Sequence, residues 1–76
     1  MQTPKPVEAN PVDSLTKREA DILRRVAKGM SNREIADDLS LREKTIKHYM
    51  SENLGKLHAR SRVEAAIVAR EAWRYG

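Results

Sequence analysis

The stretch from Ser31 to Leu57, SNREIADDLSLREKTIKHYMSENLGKL, constrains the fold of this chain more than any other part of it. Its apolar residues recur at helical spacing on both sides of a break at Ser40, which predicts two helices joined by a very short turn. Ala36, Ser40 and Ile46 fall where such a pair needs a small residue, a turn residue and a buried aliphatic. The small residue lets the second helix cross closely over the first, the turn sets a steep crossing angle, and the aliphatic side chain locks it from below. The outer face of the second helix is left free and carries Lys44, Lys47 and His48. A helix-turn-helix of this kind suits the insertion of one helix into a DNA major groove.

Helix starts elsewhere share one chemical signature. Thr16–Glu19, Ser31–Glu34 and Ser61–Glu64 each match S/T-x-x-E, in which hydroxyl and carboxylate satisfy two orphan backbone donors reciprocally. Each opens an apolar-periodic run, so the chain predicts an all-α fold: a compact four-helix domain with a helix-turn-helix core. The helices are expected at about Lys17–Lys28, Asn32–Leu39, Glu43–Leu57 and Arg62–Trp73. Ile22, Leu23, Val26 and Ala27 form the inner face of the first, with Gly29 as its C-terminal cap. Ile35, Ala36 and Leu39 face inward on the second, and Ile46, Met50, Leu54 and Leu57 on the third. Two positions strain the pattern. Gly55 inside the third helix costs about 1 kcal/mol relative to Ala, and Ser40 holds a turn position where a positive φ carries modest strain.

Residues 1–14 (MQTPKPVEANPVDS) contain all three prolines and no helical period, so they read as a flexible linker or tail before a domain at 15–76. Seventy-six residues allow one small domain. There are no cysteines, hence no disulfide framework and no thiolate metal site. No apolar run approaches membrane-spanning length, and the first fourteen residues lack the apolar centre of a signal peptide. A cytoplasmic protein is the simplest expectation. The net charge of +4 is unevenly spread. Residues 42–62 carry six basic and two acidic groups, and residues 15–30 carry five and two, whereas residues 31–41 carry one and three. Positive charge thus gathers on the exposed helix, its flank and the first helix, as expected of a polyanion binder.

From Leu15 to about Trp73 the chain resembles the LuxR/FixJ-type DNA-binding domain, the output module of many bacterial response regulators. The resemblance rests on Leu15-Thr16-x-Arg18-Glu19, then Ala27-x-Gly29-x-Ser31-Asn32-x-Glu34-Ile35-Ala36. It continues through Leu39-x-Leu41, Thr45-Ile46-Lys47, Lys56-Leu57 and Ser61-Arg62-x-x-Ala65. The resemblance implies that the third helix enters the major groove, with Lys47, His48 and Ser51 at base edges. It implies Ser31, Asn32, Arg33, Lys44, Thr45 and Lys56 near phosphates, and Arg60 and Arg62 are added as backbone contacts beside the last cap. It also implies dimerisation through the last helix, double-stranded DNA as partner, RNA polymerase as a further candidate partner, and no cofactor. The Pro-bearing segment would join a receiver or sensor domain, a free-standing small regulator being the alternative. Departures from the family pattern are Arg42 at a capping position, Tyr49 for a common His, and Glu52 and Asn53 where an amide and an aliphatic are usual. Glu52 would repel phosphate if it pointed outward, and Asn53 would need a partner if buried.

Each assignment has a plainer counterpart. Lys47 can donate to guanine or meet a phosphate or solvent, and His48 can be an ordinary surface histidine. Arg33 can address a phosphate or pair with Asp37 four residues on. His58 is expected to reach a helix-end carbonyl, and no ligand spacing around the two histidines favours a metal role. Tyr49 and Trp73 read as half-buried anchors. On the last helix Val63, Ala66 and Ile67 are expected in the core, while Ala65, Val68, Ala69 and Ala72 form a second apolar strip for a symmetry mate. That strip can instead cover the first helix or a missing domain. No phosphate loop or paired nucleophile and base is present, so an enzyme is not expected. A promoter-recognising sigma-factor region and a protein-binding adaptor that has lost DNA affinity stand as competing functions.

Overall fold

A turn of 3-10 helix at Pro11–Ser14 leads into four α-helices: α1 (Lys17–Ala27), α2 (Asn32–Leu39), α3 (Glu43–Leu57) and α4 (Arg62–Arg74). The computed structural model describes residues 11–74. The expected tail therefore divides: residues 1–10 lie outside the described residues, and Pro11–Ser14 differ from expectation. Val12 is buried, and the turn packs on α3 and α4. Leu15, whose N–H donates to the Val12 carbonyl, joins it to the first cap.

The capping chemistry expected of the helix starts is present. The Thr16 hydroxyl accepts from the Glu19 N–H while the Glu19 carboxylate accepts from the Thr16 N–H at 2.8 Å. Ser31 and Glu34 repeat the arrangement. At α4 it is altered: the Ser61 hydroxyl accepts from the Glu64 N–H, but the Glu64 carboxylate accepts from the N–H of Arg60. Arg42, which offers no short polar side chain, caps α3 without a side-chain hydrogen bond.

Three helix ends close through a residue with positive φ: Gly29 after α1, Ser40 after α2 and His58 after α3. In each, the next N–H reaches back across the left-handed residue, Met30 to Arg25, Leu41 to Ala36 and Ala59 to Leu54, satisfying a terminal carbonyl. The His58 ring was expected to serve a helix-end carbonyl. Its backbone does so instead, donating to the Gly55 carbonyl.

The core is one cluster. Ile22, Leu23 and Val26 of α1 meet Ile35 and Ala36 of α2, Ile46, Met50 and Leu57 of α3, and Ala65, Ala69 and Ala72 of α4. Leu39 and Leu54, expected inside, are half-buried at its margin. Three alanines at i, i+4 and i+7 give α4 a flat inner face that lies against α1.

Candidate nucleic-acid interface

The α2–α3 corner is built as the residue pattern requires. Ser40 turns the chain with φ 58° and ψ 43°. Ile46 is wholly buried and Ala36 nearly so. Anchoring α3 on Ile46, Met50, Asn53 and Leu57 sends Lys44, Lys47, His48 and Ser51 to the other side, spaced i, i+3, i+4, i+7 along one exposed stripe. Glu52 and Gly55 continue the stripe. The expected base-facing trio of Lys47, His48 and Ser51 thus shares one surface with Lys44.

Around that stripe, Ser31, Arg33 and Arg60 are exposed and Thr45 is half-buried. Arg33 makes no ion pair with Asp37 among the described residues; the carboxylate engaged nearby is Asp38, which accepts from Arg25 of α1. The Ser31 hydroxyl accepts the cap bond and keeps its own proton free to donate. Glu52 points outward beside His48, its carboxylate 4.0 Å from the imidazole Nε2, and the His48 ring meets Tyr49 edge-on. A carboxylate there repels phosphate but can accept from a cytosine amine.

Three expected backbone contacts are engaged inside the molecule. Lys56 donates to the Glu19 carboxylate at 2.8 Å and approaches the Ser14 carbonyl at 3.4 Å. Its partner is buried at the start of α1, so leaving it for a phosphate would strand a carboxylate in the core. The Lys56 ammonium, then the Thr16 N–H, hold the Glu19 carboxyl below the usual carboxylate range against the opposing effect of burial. Arg62 donates to the Asn32 side-chain oxygen and to the Met30 carbonyl, tying the start of α4 to the start of α2. Arg62 and Asn32 therefore brace the interface from behind. Sequence reasoning missed this bracing, since the partners lie 30 to 37 residues apart and no local pattern joins them.

Asn53 is fully buried and donates to the Glu19 carbonyl at 3.3 Å, while its Oδ1 has no partner. Its place in the inward stripe of α3, seven residues after Ile46, made the position legible.

On α4 the structure reverses the expected faces. Ala65, Ala69 and Ala72 are buried against α1, whereas Val63 is 69% and Ile67 55% exposed. Val68 and Ala66 are half-buried at the core margin. The small side chains go inward because they let α4 approach α1 closely, which Val63 and Ile67 would prevent. Three of the four residues expected in the dimer strip, Ala65, Ala69 and Ala72, are thus core, the fourth, Val68, lies at its margin, and the outward apolar strip is Val63, Ala66 and Ile67. No helix among the described residues is long and apolar enough to cross a membrane.

Comparison with known proteins agrees with this geometry. Residues 13–69 match the family described as bacterial regulatory proteins, luxR family. Over 61 residues, 80% of the chain, it is 46% identical to a nitrate/nitrite response regulator homolog of Haemophilus influenzae and matches 29% of that protein. It is 44% identical over 61 residues to the nitrate/nitrite response regulator NarP of Escherichia coli, matching 28% of it. It is 40% identical over 62 residues, 82% of the chain, to the transcriptional activator DevR/DosR of Mycobacterium tuberculosis, matching 29% of it. The chain spans under a third of the length of these relatives. With its helix-turn-helix corner built and its α3 stripe exposed, the chain belongs to the LuxR family of bacterial regulatory proteins and is a DNA-binding domain of that type.

Proposed function

We propose that this domain is the output module of a cytoplasmic bacterial response regulator and binds a two-fold DNA operator as a dimer. The observation that carries the reading is the exposed stripe Lys44–Lys47–His48–Ser51 on a helix whose opposite side is locked to α2 by Ile46. Lys47, His48 and Ser51 read base edges from that stripe. Lys44, Thr45, Arg33, Ser31 and Arg60 hold the flanking phosphates, with Ser31 contributing at the N-terminus of α2. Lys56 and Arg62 serve by fixing the frame rather than by touching DNA.

The dimer contact lies on the outer face of α4, through Val63, Ala66 and Ile67. A shallow groove of about 280 Å³ there includes Val26 and Gly29 of α1, with Arg62 and Arg70 at its edges. Large apolar side chains left in water beside such a groove fit a self-complementary contact. Two domains so paired set their α3 helices about one DNA turn apart, on half-sites roughly 10 bp centre to centre. The response regulators among the relatives support a receiver domain upstream of this module. RNA polymerase is the partner through which such a regulator would act on transcription.

Selection of bound duplexes from a random pool tests the reading. A two-fold motif with half-sites about one turn apart is expected. An enriched motif with one unrepeated half-site would overturn the dimer, and recovery without any sequence preference would overturn base reading by α3.

A further inference from the structure

A second cationic feature lies away from the α3 stripe, on the α1–α4 face. Arg24, Ala27 and Lys28 of α1 and its C-terminal cap line an open groove with Arg70 and Trp73 of α4, about 460 Å³ in volume. None of its three cations pairs with a carboxylate among the described residues. Two of them are held in place all the same. The Arg24 guanidinium carbon sits 4.4 Å from the centre of the Trp73 ring, and Arg70 donates from Nε and Nη2 to the Ala27 carbonyl at 3.0 and 2.8 Å.

Three like charges line the groove beside Ala27 and Trp73 with no carboxylate paired to them among the described residues, which favours an anionic occupant. Fixing two of the guanidinium groups beforehand removes part of the entropy lost when an anion binds. The Arg24–Trp73 stack leaves the Arg24 donors free to form charge-assisted bonds, which carboxylates match in a planar, two-pronged way. The groove is open, and besides its cations it is lined by Ala27 and by Trp73, apolar surface that a phosphate backbone has no means to cover. An apolar side chain between two acidic ones covers both.

We propose that the Arg24–Lys28–Arg70–Trp73 groove docks an acidic peptide segment of a partner protein, with carboxylates on the three cations and an apolar side chain against Trp73. This surface is separate from the α3 stripe, so the docking does not depend on the DNA-reading residues assigned above.

Trp73 is the single tryptophan of the chain and reports on its own groove. The test titrates the chain with a short blocked peptide of Asp, Glu and Leu while following Trp73 fluorescence. The same peptide with Asn and Gln in place of its acids is the comparison. A saturable, salt-sensitive change is expected with the acidic peptide alone. Arg24→Gln and Lys28→Gln should each weaken it about two- to fivefold, the range for one partly exposed ion pair. Lys17→Gln, at the far end of α1, should leave it unchanged, and melting curves of all three variants should match the parent. No response, an equal response to the amide peptide, or insensitivity to Arg24→Gln and Lys28→Gln would overturn the proposal. So would a mixed-sequence duplex that changes Trp73 fluorescence and loses that effect with Lys28→Gln, since the groove would then belong to nucleic acid.

Discussion

Ser40 and His58 hold left-handed backbone angles, φ 58° and 56°, that carry a steric penalty for residues with a Cβ. Gly29 makes the same kind of closure at α1 without that penalty. Ser40→Gly should raise stability by up to about 1 kcal/mol, the left-handed relief being partly offset by the extra freedom glycine gives the unfolded chain. Gly29→Ala should lower it, and paired melting curves check both signs. The strain at Ser40 was legible because only three residues, Ser40 to Arg42, separate the two helical patterns there. That at His58 was not, since a histidine after a helix suggests a side-chain cap. Lys47 on the α3 stripe and Arg33 at the start of α2 should divide their labour. Lys47→Ala should cost about 1–3 kcal/mol on the selected site and relax preference at one base pair. Arg33→Ala should weaken specific and mixed-sequence binding alike and lower the salt slope by about one. Binding isotherms at several salt concentrations separate the two, and equal loss of discrimination in both variants would refute the division.

Among the elements, α2 and α3 were the most legible, both ends of each falling where the caps and breaks put them. α4 was the least, for a physical reason. Its apolar residues cover two faces, and periodicity does not say whether bulk or close approach decides which one turns inward. The answer depended on α1, which presents Ile22, Leu23 and Val26 and leaves room for alanines alone. Ala69→Glu should therefore abolish folding, while Ile67→Glu should leave the melting curve intact and remove cooperative occupancy of paired half-sites. Cooperative binding by Ile67→Glu equal to the parent would place the dimer contact elsewhere. The junction of α1 with α3 was also hidden, because Lys56 lies in a basic run and its buried partner is 37 residues away. That pair gives a definite pH dependence. The folded carboxyl of Glu19 titrates below its ordinary value of 4.5, so its stabilisation is complete above that value. It is lost as the pH falls through the lowered one. Glu19→Gln should flatten the acid limb of the stability curve and lower stability at neutral pH by about 1–3 kcal/mol. An unchanged acid limb in urea titrations would show that the pair does not hold the junction.

For the molecule as a whole, one group of departures from residue-level reasoning has a common trait: two charged groups that sequence assigned to DNA bind elements to one another. Lys56 joins the 3-10 turn, α1 and α3, and Arg62 joins α2 to α4. The domain thus separates a frame, held by Lys56 and the half-buried Arg62, from an exposed α3 stripe that makes few internal bonds. Substitutions on the stripe should change which DNA is bound with little effect on melting, and frame substitutions should do the reverse. The Pro11–Ser14 turn adds a geometric consequence. Because Val12 is seated in the core and Ser14 meets Lys56 near the C-terminal end of α3, the Pro11–Ser14 turn is braced on the helix that carries the exposed stripe. A pull on the chain at Pro11 is therefore transmitted through Val12 and the Ser14–Lys56 contact to α3 and α4, not dissipated in a loop.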